Sequence, residues 1–270
     1  MKKACSILKK PFAILCIALG LICLLGILAF SLNYNEKTLN LDFNSFLSIL
    51  FLAVAGIIFA SSVVFSVMVR KICPTHKSSN SRASSVCASI GAATMLALFL
   101  SSVLRIRAFS LPGKLQIILS IIVCAYFVTE ALCEKKELIP LPLRQGLSIA
   151  PVLWALAGMF DVYFTTSEKL ISTSTMFNAQ VITYVIMALF FVFDAEDKYL
   201  KSKRTILLPF AIAAALMSVA FSLSLIFCFI FGTVNVSDIG LSVFTLLASV
   251  GVGAFALSRV YSILNITENE

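Results

Sequence analysis

Charge is what this sequence has least of. Only 13% of its 270 residues are Asp, Glu, Lys or Arg, about half the share a soluble domain carries, while 60% are hydrophobic. Water is therefore not the main solvent of this chain. It holds 1 histidine, so imidazole-based acid–base or metal chemistry has a single residue to draw on. No G-x-G-x-x-G, Walker A lysine, H-E-x-x-H or G-x-S-x-G occurs, and the common enzyme signatures are absent with them. Cys73 and His76 make one C-x-x-H pair with Cys87 beyond it, short of the four ligands that tetrahedral zinc takes. The expectation is of no catalytic residue, no cofactor and no metal.

Long hydrophobic runs are what is there instead. Continuously apolar windows cover 11–32, 46–69, 86–104, 115–133, 147–165, 179–193, 206–232 and 241–264. A helix crosses a hydrocarbon core of about 30 Å with about 20 residues, and these windows match that length. Barrel strands would alternate apolar and polar residues, so helices are the spanning element. Pro11, Pro151 and Pro209 fall in the expected opening turns, where a missing N–H costs little. The chain left over is too short and scattered for a second core. Residues 1–270 thus read as one integral membrane domain, an all-α polytopic bundle of about eight helices. The first run is longer than the roughly 7–15 apolar residues of a signal peptide, and it reads as a retained helix. Of 8 cysteines, Cys16, Cys23, Cys87, Cys124 and Cys228 lie inside apolar windows, where a thiol behaves as a small hydrophobe.

The net charge of +8 sits in the connections, which reads as topology and not as a nucleic-acid surface. With the N-terminus inside, sixteen of the 21 Lys and Arg fall on inner segments and five on outer ones. The bias predicts both termini in the cytoplasm, with four helical hairpins joined by basic inner loops. Phe127-Val128-Thr129-Glu130-Ala131 also echoes Phe191-Val192-Phe193-Asp194-Ala195, each near the inner end of its helix, as a fold duplicated hairpin by hairpin would.

Pro151-Val152-Leu153-Trp154-Ala155-Leu156, the Ser/Thr-rich stretch 165–175 and Phe190-Phe191-Val192-Phe193-Asp194-Ala195 with its lysines resemble segments of uncharacterised multi-pass membrane proteins of clostridial bacteria. The resemblance covers helices five to seven. It implies a bacterial plasma membrane and no assigned activity.

Ionisable residues within spans are the candidates for function, because a charge there is costly unless paired, hydrated or neutralised. Asp161 lies about 21 Å along the fifth helix, a turn or so below its outer end. Arg105 and Arg107, at the outer end of the third helix, come to comparable depth. An Asp161 contact with either arginine would explain both the sunken acid and the excess of outer positive charge there. Glu130 and Arg259 both fall near the inner interface and form a second candidate pair, with Asp194 as a competing acid. Long side chains near helix ends also snorkel to water with no partner, which is the plainer alternative.

Thr245, Ser249 and Gly253 on the eighth helix, and Ala211, Ala214 or Ala215, Ser218 and Ser222 on the seventh, line up as close-packing faces; a homo-oligomer through the eighth is an alternative use. The expected partners are the bilayer itself and a second membrane chain. An accessory, sensory or scaffold bundle fits best. A small-solute permease with an outward-facing site near Asp161 is the alternative, and a membrane-embedded lipid or envelope enzyme the third.

Overall fold

The computed structural model describes residues 2–35, 40–41, 45–72, 82–104, 106, 109–132, 140–168, 175–199, 207–232 and 242–265. Helices α1 (Lys2–Asn33), α2 (Phe46–Ile72), α3 (Arg82–Val103), α4 (Leu111–Leu132), α5 (Leu141–Ser148), α6 (Ala150–Glu168) and α7 (Thr175–Tyr199) are followed by α8 (Leu207–Met217), a π-helical segment (Ser218–Leu223), α9 (Ser224–Ile230) and α10 (Val243–Asn265). Two-residue strands β1 (Tyr34–Asn35) and β2 (Asn40–Leu41) pair antiparallel between α1 and α2. Among the described residues 8 helical segments are long and apolar enough to cross a membrane, and the chain is a multi-pass all-α bundle. An even number of crossings places residues 2 and 265 at one end, here the terminal end. The other is the far end.

Several helices outrun their hydropathy windows. α1 runs unbroken through Pro11, so that proline is not in an opening turn. α4 starts at Leu111 rather than 115, capped by Ser110, whose Oγ accepts the Gly113 N–H at 3.1 Å. The fifth span begins at Leu141 with Pro142 in its first turn, and the break at Ile149 between α5 and α6 falls two residues before Pro151. Pro151 has no N–H to return to the carbonyl four residues earlier. The extension that matters for the interior is at α7, which continues past 193 to Tyr199 and carries Asp194, Asp197 and Lys198 into the bundle. The seventh span is interrupted midway by the π segment, where one extra residue per turn leaves the regular ladder.

Each hairpin packs on itself, α1 on α2, α3 on α4, α6 on α7 and α8 on α10. Further contacts of α4 with α6, α7 with α8 and α10 with α3 close six of these helices into a ring, in the order α3, α4, α6, α7, α8, α10. α1 and α2 stand outside it, against α8, the π segment, α9 and α10. The core divides the same way. Trp154, Phe127, Phe190, Phe191, Phe255 and Met187 fill the ring, while Leu19, Ile22, Phe30 and Phe51 join Phe221 and Leu225 in a second cluster under the outer hairpin.

Small residues set the closest approaches. A Cβ on Gly253 would stand 2.3 Å from that of Ser218, whose hydroxyl donates to the Ser249 carbonyl at 2.9 Å. The two small-residue stripes read from the sequence therefore meet each other within one chain, which covers the α10 face offered for oligomerisation.

Candidate functional site

Two polar sites lie inside the ring, one toward each end. At the terminal end the side chains come from α4, α7 and α10, alternate members of the ring, so they converge on its axis. Asp194 is the centre. Its Oδ1 accepts from Arg259 Nε at 2.6 Å, and its Oδ2 faces Lys198 Nζ at 2.5 Å and accepts from the Tyr126 hydroxyl at 3.2 Å. Lys198 Nζ also reaches Glu130 Oε2 at 2.8 Å, and Arg259 Nη2 reaches Asp197 Oδ2 at 3.3 Å. Asp194 is 0% exposed and Arg259 2%. An isolated charge so far from water would be prohibitive, and these persist because each meets opposite charge and a hydrogen bond at once. The Lys198 ammonium also lies 5.5 Å and 5.3 Å from the ring centres of Tyr126 and Phe255, which favours a cation over their faces.

The helical period brings these groups together. Asp194 and Lys198 are one turn apart on α7, and Tyr126 and Glu130 one turn apart on α4. Each buried stripe continues into aromatics: Phe127 lies 6.2 Å from Phe191 and 5.3 Å from Phe255, both edge to face. The echoed segments thus place Phe127 beside Phe191, and Glu130 and Asp194 on the same lysine. Phe127, Phe191 and Phe255 recur every 64 residues.

The far-end site is built from α4, α6 and α7. Asp161 is half-buried and accepts a hydrogen bond from Ser110 Oγ, the same hydroxyl that caps α4. Its carboxylate rests over Gly113, where a Cβ would come within 2.6 Å of Oδ1. An anion at a helix N-terminus meets the positive end of the backbone dipole and the unpaired first-turn N–H groups. One turn inward, Gln116 Nε2 donates to the Tyr184 hydroxyl at 2.9 Å, and both pack on Gly158, whose added Cβ would stand 2.3 Å from Gln116 Nε2. Deeper still, Trp154 is 0% exposed and edge-on to Tyr184 at 5.7 Å, and its indole Nε1 has no hydrogen-bond partner among the described residues. Trp154, Gly158 and Asp161 share one face of α6, so the polar groups form a track descending from the far end.

Of the residues singled out from sequence, Glu130 and Arg259 belong to one cluster, joined through Lys198 and Asp194. Asp161 meets α4 at Ser110 and Gly113; the contact expected with Arg105 or Arg107 lies outside the described residues, as do Cys73 and His76. Sequence reading missed Asp197 and Lys198, because the hydropathy window closed at 193, and Tyr126, an uncharged side chain inside the 115–133 window that no depth count of charges picks out. It also missed Ser110, although Ser-Leu-Pro-Gly at 110–113 carries the N-cap and first-turn proline of a helix start.

Between the two sites the ring is filled by Met187, Phe190 and Phe191. The arrangement can hold charge firmly at one end and present a carboxylate with amide, phenol and indole groups at the other. Compared with known proteins, the chain matches no family model, no curated protein and no solved structure.

Proposed function

We propose that this chain is a bacterial plasma-membrane protein with both termini in the cytoplasm, acting as an accessory, sensory or scaffold bundle rather than a catalyst or carrier. The observation that carries this reading is the ionic cluster. Glu130, Asp194, Asp197, Lys198 and Arg259 are engaged with one another across three helices, as befits a lock that holds the bundle in one arrangement. The sixteen-to-five distribution of Lys and Arg supports cytoplasmic termini, and the likeness of the fifth to seventh spans to clostridial membrane proteins supports the bacterial membrane. The test is uptake by cells carrying Asp161→Asn. Unchanged accumulation of every solute handled by the parent strain fits the accessory role. Selective loss of one solute, with the variant present and folded, would overturn it.

One observation favours a second reading, a small-solute permease with an outward-facing site near Asp161. Among the described residues the buried Trp154 Nε1 is an unanswered donor below the Gln116–Tyr184 pair, and such a group in an apolar core calls for a bound acceptor. A carrier predicts that Trp154→Phe weakens uptake of its solute while leaving the fold intact.

A further inference from the structure

The outer hairpin leaves a cavity of about 580 Å³ on the ring, walled by Cys16, Gly20, Cys23 and Ile27 of α1, by Val219 and Leu223 of the π segment, and by Phe227 and Phe231 beyond it. Its frame is fixed. On the adjacent face α1 and α9 are pinned: the Ser224 hydroxyl donates to the Cys23 carbonyl at 3.3 Å, and a Cβ on Gly26 would stand 2.5 Å from Ser224 Oγ. The gap is therefore part of a tight helix pair. Depth comes from Gly20, whose added Cβ would meet nothing within 4 Å.

We propose that this cavity is a binding site for a single phospholipid acyl chain. Length is the first argument. From Cys16 to Ile27 the groove follows α1 for about 16 Å at 1.5 Å per residue, close to half of the roughly 30 Å hydrocarbon core and so to one leaflet. Width is the second. Dividing 580 Å³ by that length leaves a cross-section of about 35 Å². A helix about 10–12 Å across has a cross-section of roughly 80–110 Å², so a partner's transmembrane helix cannot sink into this open groove as an acyl chain can. Volume is the third. A cavity of about 150 Å³ holds one benzene, or roughly 25 Å³ per carbon, which puts an upper bound of about 23 carbons on 580 Å³. One long acyl chain falls within it and two do not. The lining side chains are aliphatic, aromatic or thiol, so water has no partners there. Phe231, at the far-end mouth, is 67% exposed.

The test uses the full-length chain purified in mild detergent, with dipalmitoyl phosphatidylglycerol added, and counts tightly bound lipid by native mass spectrometry. The expected result is one retained lipid on the unaltered chain and on Gly56→Phe, and at least a tenfold loss of that species on Gly20→Phe. Gly56 is the matched control, since its added Cβ also meets nothing within 4 Å while its helix does not line the cavity. Equal retention by all three, equal loss in both variants, or no retained lipid on the unaltered chain would each overturn the proposal. A second measurement needs no variant to fold: in vesicles holding phosphatidylglycerol with a photoactivatable acyl chain, cross-links should concentrate on 16–27 and 219–231 above the other lipid-facing helices. An even spread over those helices would equally reject the site.

Discussion

Arg259 Nε lies 2.6 Å from Asp194 Oδ1 in the interior of the ring, tying the last helix to α7. Arg259→Ala leaves Asp194 and Asp197 short of their shared cation, and removal of one partner of a buried pair costs about 3–5 kcal/mol. The thermal midpoint in detergent should fall accordingly. Asp194→Ala should cost a similar amount, and the double substitution less than the two together, because the groups act as one network. Strict additivity would show that the cluster does not hold the bundle.

Ser110 and Asp161 should behave as one unit at the far end. Asp161→Asn weakens a charge-assisted hydrogen bond and Ser110→Ala removes it along with a helix cap; each should lower stability by about 1–2 kcal/mol. Made together, they should cost less than the sum. If Ser110→Ala is silent in a denaturant titration, the hydroxyl neither caps α4 nor holds the acid.

Glycine positions give a contrast in sign. Gly158→Ala drives a methyl into Gln116 and Tyr184, an overpacking that should cost about 1–3 kcal/mol. Gly20→Ala and Gly56→Ala meet open space and should be neutral or stabilising by up to about 1 kcal/mol, as alanine favours helix over glycine. Fluorescence of Trp154, the chain's one tryptophan, should report the Gly158 effect directly, one turn away. Equal effects at all three positions would contradict the packing.

Orientation is testable with single cysteines in an otherwise cysteine-free chain. A cysteine at Lys37, between α1 and α2, should react with an impermeant maleimide in intact cells. One at Lys136, between α4 and α5, should react only after permeabilisation. The reverse pattern would invert the topology.

The class of fold was legible because burial in lipid is written additively, residue by residue, and every span appeared as a window. Pairing is not additive. Asp194, Asp197 and Lys198 each count against a span, yet with Arg259 of α10 they pair off, so the hydropathy reading stopped short of the α7 residues that complete the site. Depth counting brings Glu130 and Arg259 to one level, since the helical rise is fixed. It could not say that Lys198 stands between them. Nor does any local signature in Ser218–Leu223 announce a π segment, which packs against α1 and α10.

The standing of α1 outside the ring has a consequence for biogenesis. Its hydrogen-bonded contact from Ser224 to Cys23 spans 201 residues, and the ring itself closes only when α10 reaches α3. A chain made from its N-terminus must therefore hold its first hairpin in the bilayer, apolar but unpartnered, until nearly all of the polypeptide has been synthesised. Any factor that escorts this protein through insertion would meet that waiting hairpin first, and a truncation before α8 would leave it waiting for good.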